Sequence, residues 1–264
     1  MEINSLQNPA IKNIIKLSKK KEREQQQRFL IEGGRELSLA LQNNYSIEKI
    51  YLFRSLFVQC DYRDILQSVS AENIVEISQP VFEKIAYREN SDGIVAVAKP
   101  KTKSSLQNIH LSGNPFVIVL EAIEKPGNLG AILRTADAAG IDAVVVCDPQ
   151  TDLFNPNVVR SSVGTLFSVQ TAVCTSQEAL DWLSSNKISI YAAELQTSEF
   201  YHHIDFKKPS AIVMGTEAEG LTDFWLQHAH KRIKIPMRGK IDSLNVSVST
   251  AVLTFEAMRQ RGFA

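Results

Sequence analysis

The feature that most restricts the fold is a set of short, β-branched apolar runs separated by stretches of helical spacing. FVIVLEAI (116–123) and AVVVC (143–147) show no alternation of polar and apolar residues, so each reads as a strand covered on both faces, as in a parallel sheet. Between them NLGAILRTADAAG has helical spacing and ends on Gly140, a residue suited to a helix C-cap. The pattern continues through SQEALDWLSS (helix), ISIYAAEL and AIVMGTE (strands), LTDFWLQHA (helix), RIKIPM (strand) and a final helix from about Ser243 to Arg261. The first hundred residues alternate in the same way: RFLIEGG, IEKIYLF, NIVEIS and GIVAVAKP read as strands, RELSLALQ, DYRDILQSV and PVFEKIAY as helices. Pro100-Lys-Thr-Lys-Ser-Ser is polar and follows a strand with proline, which makes it a linker and places a boundary near residue 106. The expectation is an α/β chain of two domains, 1–106 and 107–264, each long enough to bury its own core.

With 44% hydrophobic and 22% charged residues the chain has the composition of a folded protein. The N-terminus lacks the basic start and apolar run of a signal peptide, and no run reaches the roughly 18 apolar residues of a membrane span. A cytoplasmic protein without membrane contact is expected. Cys60, Cys147 and Cys174 lack the paired spacing of a zinc site and read as free thiols, with Cys147 and Cys174 buried in apolar runs. No metal cluster is expected. Net charge is zero but unevenly spread, since residues 1–106 carry 16 Lys and Arg against 13 Asp and Glu. Asn8-Pro9 reads as an N-cap and first helical position of a basic amphipathic helix, in which Lys12, Lys16, Lys19, Lys20, Lys21, Arg23 and Arg28 face only Glu22 and Glu24. Such a segment can meet phosphate or form an ordinary solvated helix face.

Three stretches of the second half carry chemistry. The first, EAIEKPGNLGAILRT (121–135), is a strand end, a Pro-Gly-Asn turn and a helix, whose opening exposes backbone N–H groups. Its glycines match neither the dinucleotide fingerprint nor the P-loop, and Arg134 could simply pair with Asp137 one turn on. The second, IVMGTEAEGL (212–221), runs from a strand into a glycine- and carboxylate-bearing loop at the end of the sheet where open α/β folds bind ligands. The third, IPMRGKIDSLNVSVSTAVL (235–253), leads from a strand into the last helix. Ser247, Thr250 and Thr254 there form a small-residue face, suited to close helix packing, to a ligand or to a second subunit.

In this order and spacing the three stretches resemble the signature motifs of the SpoU (TrmH) family of RNA ribose 2′-O-methyltransferases in the SPOUT superfamily. The likeness spans residues 115–262. Residues 1–106, with FLIEGGREL, look like the L30e-type substrate-binding domain that precedes the catalytic domain in many members acting on rRNA. The resemblance implies a deep trefoil knot in the C-terminal domain, an exception to the rule against threaded chains, with S-adenosylmethionine held in it. By motif position Gly215, Ile235 and Leu244 would contact the cofactor, with Met214, Gly220 and Met237 close by. Arg134 and Asn128 take the catalytic positions of the first motif, and Glu217, Asn245 and Ser247 complete the site. Arg134 is discussed in the family as the base for the ribose hydroxyl. A guanidinium is a poor proton acceptor at neutral pH, so a phosphate grip or stabilisation of the developing alkoxide is the alternative. Lys19, Lys20, Lys21, Arg35 and Arg160 are the candidates for RNA contact, and His202 and His203 read as loop residues. The family also implies a homodimer through the C-terminal domain. Ribosomal RNA ranks ahead of transfer RNA by analogy with members carrying an extra N-terminal domain. Two rival readings remain: a non-catalytic RNA-binding assembly factor, against which the intact Asn128, Arg134, Glu217 and Asn245 argue, and a nucleotide-dependent oxidoreductase, which lacks its glycine fingerprint.

Overall fold

The computed structural model describes residues 2–57, 62–87, 91–101, 105–197 and 199–263. The chain divides into two compact units, one of Met1–Thr102 with Asp152–Ser168, the other of Lys103–Thr151 with Val169–Ala264. Among the described residues no helix is long and apolar enough to cross a membrane.

In the first unit β1 (Glu2–Ile3), α1 (Pro9–Lys16), α2 (Lys20–Gln26), β2 (Phe29–Glu32), α3 (Gly34–Gln42), β3 (Ser46–Leu52), α4 (Arg54–Phe57), β4 (Ile74–Ile77), α5 (Gln79–Ile85) and β5 (Ile94–Lys99) follow one another. The sheet order is β1-β4-β3-β5-β2, with β1, β4 and β3 parallel and β5 antiparallel to both its neighbours. Within the stretch DYRDILQSV, Arg63–Ser68 forms a 3-10 helix instead of an α-helix; Ser68, Val69 and Ser70 at its end are weak helix formers that favour a short, tight turn.

The basic segment is two helices, not one. Asn8 caps α1 as expected, its side chain accepting the Ala10 N–H at 2.9 Å with Pro9 in the first turn. The helix then stops at Leu17 because Arg23 turns inward: its Nη1 donates to the Leu17 and Ser18 carbonyls at 2.8 and 2.7 Å, and Nη2 to Asp152 at 2.5 Å. Arg23 is only 5% exposed, and Arg28 pairs with Glu48, so neither lies free on a basic face. The exposed cations of the segment are Lys12, Lys16, Lys19, Lys20 and Lys21.

Asp152–Ser168, placed by the 106 boundary with the C-terminal domain, packs in the first unit. Phe154 stacks on Phe29 at 4.3 Å and Phe167 meets the Tyr45 ring edge-on at 4.9 Å, closing one side of the sheet. On the other side Ile11 and Ile14 of α1, with Leu17 just after it, pack with Leu30, Tyr51, Phe82 and Val95. A further helix, α7 (Pro156–Ser161), belongs to this segment and is capped by Asn155.

The second unit holds β6 (Phe116–Glu121), α6 (Pro126–Ala139), β7 (Ala143–Cys147), β8 (Thr171–Cys174), α8 (Ser176–Ser185), β9 (Ser189–Ala193), β10 (Ser210–Met214), α9 (Asp223–His228), β11 (Lys231–Ile233) and α10 (Val246–Gln260). Six parallel strands lie in the order β11-β9-β10-β6-β7-β8. Every residue of β6 and β7 is buried, as their unbroken apolar composition requires. Val117, Val145 and Val213 pack with Ala179, Leu183 and Trp225 on one face. The last helix starts at Val246, not Ser243, because Asn245 is its cap and accepts the Ser247 N–H at 3.0 Å. The strand read as RIKIPM spans Lys231–Ile233 beside β9, and Lys234 adds a single bridge to Phe200; Pro236 has no N–H to extend a ladder.

Cys147 is buried, but Cys174 is half-buried, because β8 is the edge strand of the sheet. The Cys147 thiol is pushed well above its usual range, first by its hydrogen bond with Cys174 and then by burial, which leaves it in the inert thiol form. Cys60 lies outside the described residues.

Candidate active site

Strands β6, β10 and β11 run parallel in one sheet, β10 beside β6 and β11 two places beyond, so the segments that follow them leave from the same end of the strands, where open α/β sheets bind ligands. All three chemistry-bearing stretches begin there.

The first stretch is tied to the second by a residue that the motif reading passed over. Glu121, the last residue of β6, is buried, and its carboxylate accepts the Thr222 N–H at 2.9 Å and the Thr222 hydroxyl at 2.7 Å. A carboxylate at the end of an otherwise apolar strand was the available signal: burial of such a charge demands polar partners. Lys125, at the N-cap of α6, forms an ion pair with Glu217 that joins the same two stretches.

The second stretch folds back on itself. Thr216 and Gly220 exchange backbone hydrogen bonds of 2.9 and 3.2 Å, and Gly220 takes the left-handed φ of +73°. The turn passes so close to the strand end that a Cβ on Gly215 would stand 2.1 Å from the Gly220 carbonyl carbon and 2.4 Å from the Leu221 nitrogen. Only glycine fits there. Met214 is buried beneath it at 4% exposure, whereas Gly220 is at the surface.

The third stretch contributes half-buried Ile235, Met237 and Leu244, and then Asn245. The Asn245 amide donates to Asn128 Oδ1 at 3.2 Å, while its own oxygen accepts both the N–H of Ser247 and the Ser247 hydroxyl, the latter at 2.6 Å. Residues 117 positions apart thus form one polar chain, Asn128–Asn245–Ser247, set up by the packing of α10 on α6 and β10. Asn128 Nδ2 is buried and has no hydrogen-bond partner, an exception that a bound group would resolve.

Arg134 is not drawn into that chain. It is exposed on α6, six residues and about 9 Å of helix beyond Asn128, and no ion pair holds it among the described residues. The face of Ser247, Thr250 and Thr254 is largely consumed within the chain, since Thr250 and Thr254 are fully buried; close helix packing is its use here. The apolar residues that α10 leaves exposed are Val248 and Phe255, seven positions apart on one face, with Phe263 following. The five RNA-contact candidates, Lys19, Lys20, Lys21, Arg35 and Arg160, are all exposed, and all belong to the first unit.

Residues 115–255 match the SpoU rRNA Methylase family, and residues 8–96 match the MRM3-like substrate binding domain. The chain is 30% identical over 255 residues to the 23S rRNA (guanosine(2553)-2′-O)-methyltransferase RlmP of Bacillus subtilis (strain 168), covering 96% of this chain and 98% of that one. A crystal structure of an RNA 2′-O ribose methyltransferase superposes with a TM-score of 0.88 at 38% identity, over 99% of both chains. The AdoMet-bound rRNA methyltransferase from Sinorhizobium meliloti does so with a TM-score of 0.88 at 30% identity, over 98% of this chain and 97% of that one. Motifs, sheet and full-length likeness agree: the chain belongs to the SpoU rRNA methylase family.

Proposed function

We propose that the protein transfers a methyl group from S-adenosylmethionine to a ribose 2′-hydroxyl of RNA, with ribosomal RNA as substrate. The observation that carries the reading is the Asn128–Asn245–Ser247 chain beside the folded-back Gly215 loop, in a chain alike over its whole length to enzymes named for that reaction.

The residues present fit the cofactor. The turn between Gly215 and Leu221 offers backbone donors and acceptors, and half-buried Ile235, Met237 and Leu244 offer apolar walls, the combination that a purine ring and its polar edge require. When bound, its sulfonium supplies an electrophilic methyl group. The orphan Nδ2 of Asn128 is a donor aimed at an oxygen yet to arrive, and Asn245 fixes the Asn128 side chain by occupying its oxygen. Lys125 and Glu217 hold the loop against the start of α6. Arg134 would supply positive charge near the reacting oxygen once RNA is in place; as the new carbon–oxygen bond formed, the methyl–sulfur bond would break and the 2′-hydroxyl proton would pass to solvent water. The knot threaded by the C-terminal segments, the site assignments and a cytoplasmic location belong to the same reading.

Calorimetric titration separates this reading from an oxidoreductase: S-adenosylmethionine should bind with one-to-one stoichiometry and NAD should release no heat. We further expect a homodimer built on the exposed Val248–Phe255 face, so that sedimentation at micromolar concentration gives about twice 29.4 kDa. A monomer that still methylates RNA would overturn that interface.

A further inference from the structure

The structure assigns a second ligand site to the first unit: a crevice that captures one unpaired nucleobase of the RNA, stacked on Tyr87 and Arg160. This rests on the proposed action on RNA but concerns residues outside the three motif stretches. The crevice encloses 220 Å³. That is below the roughly 300–1,000 Å³ of pockets for drug-sized molecules and of the right order for a single flat ring. Its floor is apolar and buried, with Ile14 and Val95 at 1% exposure and Leu30 at 9%. Its mouth carries a different chemistry. The Arg160 guanidinium lies over the Tyr87 ring at 5.4 Å, and Lys84 stands on the rim.

Tyr87 is 56% exposed, a large aromatic face that a folding argument alone leaves unexplained. It is nevertheless held in place: its backbone N–H donates to Glu32 Oε2 at 2.7 Å, and Arg160 is braced by a 2.9 Å bond from its Nη2 to Asn157 Oδ1. An exposed aromatic ring with a planar cation over one face leaves its other face open, an arrangement on which unstacked bases settle, since any base offers a π-face. Charge also fits, because Arg160 and Lys84 can meet the phosphates flanking a splayed base, while the Glu32 carboxylate of the lining accepts the Tyr87 N–H.

The test uses the full chain and 5′-fluorescein hexauridylate and hexaadenylate as probes, read by anisotropy across a salt series. Tyr87→Ala should weaken binding about tenfold with an unchanged salt slope, because stacking releases no counterions. Tyr87→Trp should restore or exceed wild-type affinity. Arg160→Ala should weaken binding and lower the slope by up to about 0.7, the value for one single-strand phosphate contact. An unchanged melting temperature for Tyr87→Ala separates lost stacking from lost folding. Wild-type affinity in both Tyr87 variants, or no hexamer binding by a protein that methylates ribosomal RNA, overturns the site while leaving the proposed activity standing. Normal hexamer binding without S-adenosylmethionine binding would do the reverse.

Discussion

Arg134→Ala is expected to lower kcat by about a hundredfold or more, equivalent to about 3 kcal/mol of transition-state stabilisation, while leaving the affinity for S-adenosylmethionine nearly unchanged. The geometry favours this split. Arg134 is exposed, is not part of the Asn128–Asn245–Ser247 chain, and is held by no ion pair among the described residues, so its charge is available to a substrate. For the same reason the melting temperature should stay put, and alanine is the better helix former. Arg134→Lys tells the roles apart: a point charge partly replaces an electrostatic stabiliser but loses the planar fork that grips phosphate with two bonds. Partial rescue favours charge stabilisation; no rescue favours a phosphate grip. Near-normal turnover with a lowered melting temperature would mean that Arg134 serves its helix, through Asp137, and that the catalytic assignment is wrong.

Gly215→Ala is expected to be the most damaging single methyl group in the second unit. The added carbon would meet backbone atoms at 2.1, 2.2 and 2.4 Å, and backbone cannot swing aside as a side chain can. The turn must open, losing the paired Thr216–Gly220 hydrogen bonds. Overpacking of this kind costs about 3 kcal/mol, a fall of roughly 6–12 °C in melting temperature for a unit of this size. Affinity for S-adenosylmethionine should fall at least tenfold. Gly220→Ala provides the contrast. Its φ of +73° carries the left-handed penalty, but nothing lies within 4 Å of its Cβ position, so about 1 kcal/mol is expected. If Gly215→Ala binds the cofactor as tightly as the wild type does, the loop is not part of that site.

The parts of the molecule written in local pattern could be read before the fold was seen. The doubly covered strands, the Asn8-Pro9 cap and the three motif stretches depend on neighbours a few residues apart, and each lies where its pattern implies. What stayed hidden depends on partners distant in sequence. Counting charges in residues 12–28 cannot show that Arg23 finds a carboxylate 129 positions away and bends the helix by turning inward. Nor does strand composition show that Cys174 falls on an edge. The segment of Phe154 and Phe167 reads as an ordinary helix between two strands of the methylase sheet. Only the aromatic faces of Phe29 and Tyr45 reveal where it packs. In the site, Asn128 and Asn245 were legible as motif members, but their direct bond and the buried Glu121–Thr222 brace were not.

Delivery of a methyl group to a ribose oxygen of ribosomal RNA can be read by mapping 2′-O-methylated riboses in rRNA. A strain lacking the gene would be compared with the same strain carrying the wild-type gene or the Arg134→Ala form. A ribose mark should disappear in the deletion strain, return with the wild-type gene and stay absent with Arg134→Ala. A full set of ribose marks in the deletion strain, with the lost methyl group found on a base or in transfer RNA, would contradict it.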